Sequence, residues 1–274
     1  MYITLPQGDF RTMPAYLPTL NIAGVKIVNV HPQNPSRGLP TVMALTVILD
    51  IATGKPDAII NATHLTDMRT GAAGAIAAKY LSVKKDIILG LIGTGRQAAA
   101  QVAATAETLA IRQILIWSRN PVHTEKFCRE LKAFECKSVS LERACDCDVL
   151  VTTTPSTKPI VMSEWIHEGT HINAIGADAP GKEELEPVLL GRSSVFVDDP
   201  AQALHSGEIN VPIAAGLYAE SAIAGTLGEV VIGKKGRRSP DEITIFDSTG
   251  LAIQDLAIAK IALQHGTAIV LPFP

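Results

Sequence analysis

At 274 residues the chain has room for one large or two modest domains, and a chain of that size buries about three quarters of its unfolded surface. Hydrophobic residues make up 47% of it and the formal charge is −3 with no basic stripe, which argues against nucleic acid and anionic membrane as main partners. The longest apolar runs fall short of membrane-spanning length, and the start, MYITLPQGDF, has neither the charged n-region nor the h-region of a secretion signal, so a soluble, cytoplasmic protein with no membrane partner is expected.

Four runs near the start, residues 2–5, 25–30, 42–49 and 58–61, read as strands separated by Pro/Gly/Asn clusters such as HPQNPSRGLP, and suggest an antiparallel platform. From Thr63 the pattern turns helical, THLTDMRTGAAGAIAAKYL, with small residues dense enough for close packing. Strands at 87–92, 114–117, 149–152, 171–175 and 194–197 then alternate with helical segments, the pattern of a doubly wound parallel sheet. The segment 233–240, GKKGRRSP, reads as an exposed, solvated loop. After it, ITIFDSTGLAIQDLAIAKIALQHG gives a last strand, a turn and an apolar helix whose face, Leu251, Ile253, Leu256, Ile258, Ile261 and Leu263, is expected to pack on the first domain. The fold expected is therefore α/β: a doubly wound parallel (Rossmann) sheet over 69–250 and a smaller α+β platform built from 1–68 with 251–274.

Residues 87–98, IILGLIGTGRQA, carry the most chemistry. A strand feeding a helix through Gly93 and Gly95, with Thr94, Arg96 and Gln97 in the turn and first helical positions, sets backbone N–H groups and the positive helix end against a pyrophosphate. Glycine turns also occur where a strand merely reverses into a helix, so the following strand matters. Its end lies about 20 positions on, where the adenosine ribose belongs, and holds Ser118 and Arg119. A serine beside an arginine leaves room and charge for a 2′-phosphate, so the cofactor expected is NAD(P) with a lean toward NADP, the alternative being that Arg119 is an ordinary solvated residue. Thr152, Thr153 and Thr154, and Ser248 after Asp247, stand at strand ends and either line the cofactor groove or serve as turn chemistry.

Four cysteines, Cys128, Cys136, Cys145 and Cys147, lack a matching CxxC pair or clustered histidines; they read as unpaired, small buried hydrophobes, with no metal. Arg11 and Lys26 each interrupt a strand-like apolar run, where an inward-pointing charge is costly unless paired, and Arg69 begins the helix leading into the cofactor domain. Each is a candidate for gripping a carboxylate, or a solvent-facing or structurally paired charge. Asp178, in HINAIGADAPGKEEL, follows a strand at the carboxyl edge of the sheet; it could take a proton from an amine or activate a water, or cap the turn at Pro180–Gly181.

The segments DFRTMPAYL, VKIVNVHPQNP, GLPTVMALTVILD, LTDMRTGAA, GLIGTGRQA, DVLVTTTPS, GTHINAIGADAPGKEEL, GEI and ITIFDSTGLAIQD together resemble the ornithine cyclodeaminase and mu-crystallin family, most closely its archaeal alanine dehydrogenase branch, over nearly the whole chain. The resemblance implies a homodimer joined through the platform and a Rossmann domain that binds NAD(P). It implies Arg11, Lys26 and Arg69 as the grip on the substrate carboxylate, and Asp178, with Lys26, as the catalytic pair. The reaction implied is reversible oxidative deamination of a small L-amino acid, with alanine giving pyruvate and ammonia. In the cyclodeaminase branch an ornithine side-chain amine captures the imine, and NAIGADAPGKEEL stands here where that branch tends to carry a GGDCPGK-like turn. The mu-crystallin type binds NADPH and resembles this chain in WSRN, but typically lacks an aspartate where Asp178 stands. Family members normally carry a mostly helical segment ahead of the strand that begins here at Tyr2; without it the platform is expected to expose apolar surface.

Overall fold

The computed structural model describes residues 1–266; the stretch 267–274, part of the expected platform segment, lies outside the described residues. Two compact units emerge: Met1–Arg69 together with the chain from Leu251, and Thr70–Gly250.

In chain order the elements begin with strands β1 (Tyr2–Leu5), β2 (Gly8–Leu17), β3 (Ile22–Val30), β4 (Val42–Leu49) and β5 (Pro56–Asn61), followed by helix α1 (Thr63–Leu81). Next come β6 (Asp86–Ile92), α2 (Arg96–Ala106), β7 (Ala110–Trp117), α3 (Pro121–Glu130), β8 (Cys136–Ser138), α4 (Leu141–Cys145), β9 (Val149–Thr152) and β10 (Thr157–Val161). The chain continues through β11 (His171–Ala174), β12 (Glu183–Leu185), α5 (Pro187–Gly191), β13 (Ser193–Val197), α6 (Pro200–Ser206) and α7 (Asn210–Ala214). It ends with β14 (Gly225–Thr226), α8 (Leu227–Val231), β15 (Ile243–Asp247) and α9 (Ala252–His265).

The first unit is a five-stranded antiparallel meander in the order β1-β2-β3-β4-β5. The sequence reading of four strands missed β2, because Pro14 sits in its middle and a proline there cannot donate to a ladder. It is tolerated because β1 pairs only as far along β2 as Arg11, so Pro14 lies on a free edge. Alternation on β3 puts Ile22, Gly24, Lys26 and Val28 on one face, packed with Ile48 and Ala44 of β4; α9 lies on β2, β3 and β4. The helix buries Asp255, Leu256 and Ala259 there, while Ile253, Ile261 and Leu263 of the expected apolar face are exposed. Apolar residues are spread around this helix without a clear stripe, so its buried side is set by what it packs on. Register places Tyr16, Val25, Leu45, Val47 and Ile59 on the opposite face, where Tyr16, Leu45 and Ile59 are exposed.

The second unit is an eight-stranded parallel sheet in the order β14-β13-β15-β11-β9-β6-β7-β8. The chain enters at β6, builds outward through β7 and β8, then returns to the other side of β6 with β9. Doubly wound sheets bind ligands at that reversal, outside the carboxyl ends of the strands. Two apolar clusters, one around Leu150, Ile172 and Ile245 and one around Leu89, Ile114 and Val151, bury side chains worth about 1.5–3 kcal/mol each. His171, fully buried in β11, bonds Thr244 Oγ1 and Asn173 Oδ1, and burial pushes it down to about 3, so it is a neutral core residue.

Two expectations are corrected in part. Cys128 and Cys136 are joined in a disulfide across eight residues, tying the end of α3 to β8, whereas Cys145 and Cys147 are free and buried as thiols. Burial pushes both thiols up, Cys145 to about 12, which leaves them inert. The GKKGRRSP loop is not simply solvated. Its Arg237 is half-buried and donates to the carbonyls of Leu81, Gly169, Thr170 and Glu242 and to Thr244 Oγ1, stitching the loop to the amino-terminal side of the sheet.

Candidate functional site

In the parallel-sheet unit a groove of about 590 Å³ opens at the reversal between β6 and β9. It is lined by Gly93, Thr94 and Gly95 after β6, by Trp117, Ser118, Arg119, Asn120 and His123 after β7, and by Thr153, Thr154, Pro155, Ser156 and Ile160 after β9. Gly93 has φ +111°, and a Cβ there would stand 2.5 Å from Thr153 Oγ1, so both conformation and space require glycine. That hydroxyl donates to Ile92 O at 3.1 Å and locks the two strand ends together. Gly95 is the N-cap of α2 and supplies no side-chain cap, leaving the helix's N-terminal pole as the groove's electropositive element. Ala98, fully buried, lets α2 sit close against the sheet.

Of the residues expected to hold a cofactor, Gly93, Thr94, Gly95, Ser118, Arg119, Thr153 and Thr154 line this groove together. Arg119 is exposed there, and Ser118 Oγ is engaged with Asn120 O at 3.0 Å and Thr124 Oγ1 at 2.8 Å. Arg96 and Gln97 occupy the first turn of α2 outside the lining. Thr152 and Ser248 are buried elsewhere: Thr152 Oγ1 donates to Glu184 Oε2 at 2.7 Å and Ser248 Oγ to Asp198 Oδ2 at 3.3 Å. Sequence reasoning missed Trp117, His123 and Ile160 as walls of the groove, because nothing local distinguishes them from core or surface residues.

Asp178 lies partly buried in the loop after β11, its carboxylate paired with Lys182 Nζ four residues on. Its loop is pinned on both sides: Gly176 N–H donates to Glu184 Oε2 at 2.9 Å, and Gly181 N–H to Asn210 Oδ1 at 3.0 Å.

In the platform unit the three cations named from the sequence face one way. Arg11 stands across from Val28, which is on the Lys26 face of β3, and Arg69 comes from the first turns of α1. Lys26 Nζ meets Asp255 Oδ2 at 2.8 Å with its side chain only 1% exposed; Arg69 Nε meets the other oxygen of Asp255 at 2.9 Å and its Nη1 reaches Gln254 Oε1 at 3.2 Å. Arg11 forks onto both oxygens of Asp9, at 2.8 and 3.0 Å, with its guanidinium 5.2 Å from the Tyr2 ring centre. Burial, with repulsion from Arg69, lowers Lys26 to about 8 against the opposing pull of Asp255. Asp255 was missed from sequence although an aspartate in the apolar helix AIQDLAIAKIALQH is a signal that it must be paired.

The arrangement defines a Rossmann-type α/β protein with an antiparallel companion unit that buries a cationic cluster. The family model described as ornithine cyclodeaminase/mu-crystallin matches residues 1–265, and the chain belongs to that family. It is 48% identical over 268 residues to an alanine dehydrogenase of Archaeoglobus fulgidus, covering 97% of this chain and 83% of that protein. Among solved structures, an archaeal alanine dehydrogenase dimer with bound NAD superposes with TM-score 0.95 at 47% identity, over 100% of this chain and 87% of that one. The Thermococcus litoralis Δ1-pyrroline-2-carboxylate reductase in complex with NADH and L-proline superposes with TM-score 0.94 at 37% identity, over 99% and 88%.

Proposed function

We propose that this chain is a nicotinamide-dependent amino-acid dehydrogenase that reversibly deaminates a small L-amino acid, L-alanine first, to the 2-oxo acid and ammonia. The observation that carries the reading is the buried Lys26–Asp255–Arg69 cluster, in which two cations repel one another within a single carboxylate's reach. An incoming α-carboxylate would relieve that repulsion, which is the electrostatic condition for binding an amino-acid anion. The relatives named for alanine dehydrogenase supply the reaction class.

The groove suits the cofactor: a glycine that lets backbone approach a pyrophosphate, an unfilled helix N-terminus, and Ser118 with Arg119 where a ribose would rest. The glycine turn and the end of β7 would hold a nicotinamide dinucleotide, whose ring would supply the hydride acceptor for substrate Cα. The chain's own residues do the rest. Arg11 and Arg69 hold the carboxylate as donors of fixed fork geometry. Lys26, held near 8, is the base for the proton of the substrate amine, and Asp178, the family's catalytic aspartate by resemblance, is the candidate for activating the water that adds to the oxidised carbon. One amino acid, one water and one oxidised dinucleotide thus give 2-oxo acid, ammonium, reduced dinucleotide and a proton. Arg119 is the support for NADP over NAD; the related structures described with a cofactor hold NAD or NADH. We also read the chain as a cytoplasmic homodimer, joined through the exposed Tyr16, Leu45 and Ile59 face of the platform.

Incubation of the purified protein with L-alanine and NAD or NADP, following reduced-nicotinamide absorbance together with ammonia, tests the reading. Stoichiometric reduced cofactor and ammonia are expected. Ammonia from ornithine without reduced cofactor would replace it with cyclodeamination, and cofactor binding without turnover of either amino acid with a pure binding role.

A further inference from the structure

The loop that carries Asp178 is held by buried acids that backbone N–H groups and one hydroxyl satisfy in succession. Asp247, at the end of β15, accepts from Glu208 N–H at 2.8 Å and Ile209 N–H at 3.3 Å. Glu208 Oε1 accepts from Glu184 N–H at 2.7 Å and Leu185 N–H at 2.5 Å. Glu184 in turn accepts from Thr154 N–H at 2.7 Å, from Gly176 N–H at 2.9 Å and from the Thr152 hydroxyl at 2.7 Å. Each carboxylate grips the backbone of the next acid, and the last one grips a wall of the groove and the root of the Asp178 loop. The packing is tight: a Cβ on Gly207 would stand 2.3 Å from Asp247 Oδ2, and one on Gly176 2.4 Å from Glu184 Oε2.

We propose that Glu184 and Glu208 are positioning residues, a carboxylate relay from Asp247 that sets the Asp178 loop and the Thr153–Thr154 wall of the groove relative to each other. The proposal rests on the dehydrogenase reading for its kinetic consequences alone. The two acids have different tasks. Glu184 receives backbone donors on both oxygens, so an amide nitrogen on either side would meet an N–H head on; burial raises its carboxyl, and the Thr154, Thr152 and Gly176 donors oppose that shift. Glu208 receives donors on one oxygen, and its buried Oε2 meets no partner among the described residues, so the neutral acid suffices. Burial pushes Glu208 well above the usual carboxyl range, with Glu184 and then Asp247 adding to it, in keeping with that division.

The test uses the full chain. Hydrogen–deuterium exchange over peptides spanning 150–160 and 174–186 is read alongside kcat, the KM for L-alanine and cofactor Kd. Glu184→Gln should speed exchange in both peptides and lower kcat about tenfold or more, with the KM for L-alanine within about twofold, because misplacing Asp178 harms the chemistry more than carboxylate binding. Glu208→Gln should stay within about twofold of the parent, while Glu208→Ala should behave like Glu184→Gln. If Glu184→Gln fails to fold, Thr152→Val, which deletes one donor and keeps volume, should show the same direction at smaller size. Unchanged exchange and kcat in Glu184→Gln, or equal loss in Glu208→Gln and Glu208→Ala, would overturn the relay. A parent protein inactive on L-alanine would overturn the dehydrogenase reading, while the exchange comparison would still decide the relay.

Discussion

In the platform Lys26 and Arg69 share the two oxygens of Asp255, whereas at the carboxyl edge of the parallel sheet Glu184, Glu208 and Asp247 lean on backbone N–H groups and a hydroxyl. Both regions take charge out of water, and both must compensate it. An ion pair can exchange partners, so under the proposed function a substrate anion would enter it and a proton would leave Lys26. Backbone donors cannot move without moving the loops, so the acids they satisfy act as scaffolding. Burial of ionisable groups alone therefore does not mark reactive chemistry; the identity of the partner does.

The sharpest way to break that comparison is to remove the groups proposed to react. Lys26→Met should lower kcat/KM for L-alanine by about a thousandfold or more, since it takes away both a carboxylate contact and the proton carrier. Asp178→Asn should nearly abolish turnover with cofactor Kd unchanged, and steady-state kinetics with a fluorescence titration of reduced cofactor would check both. A Lys26→Met enzyme of ordinary activity would reduce the platform cluster to structure.

Smaller, but more specific, is the pH response. Lys26 folds at about 8 from an ordinary 10.5, so below about pH 8 it is protonated in folded and unfolded chains alike. Between about 8 and 10.5 the unfolded chain binds the extra proton, so this group makes the native state more stable as pH rises through that window. For catalysis the sign is the same: log kcat/KM for oxidation should climb with pH and level off near 8, and Lys26→Arg should erase that limb. A profile unaltered by Lys26→Arg would assign the limb to another group.

The smallest expected effect is at the groove. Arg119→Ala should weaken NADP about tenfold with NAD little changed, as the loss of one exposed charge-assisted contact implies. Equal loss for both cofactors, measured by titration, would remove the 2′-phosphate argument and leave Arg119 as a rim residue.

The parallel sheet and the glycine turn were legible because their signals are local: apolar runs such as 149–152, the conformation that Gly93 must adopt, and strand ends that fall on one edge once the strands alternate with helices. Thr152, Thr153 and Thr154 were named on the same logic, yet Thr152, the last residue of β9, is buried against Glu184 while the two residues past the strand end line the groove. The platform's β2 was hidden by Pro14, whose tolerance depends on where β1 stops. The disulfide partner of Cys128, the buried side of α9 and the anchoring of Arg237 likewise had no signature in spacing. Local pattern was enough for the long strands and helices of the parallel sheet and for the residue types that wait at their ends. Their partners came from the folded path of the chain, because Arg69 and Asp255 stand 186 residues apart and Thr152 and Glu184 stand 32 apart. Periodicity has no reach over such distances; the return path of the chain does.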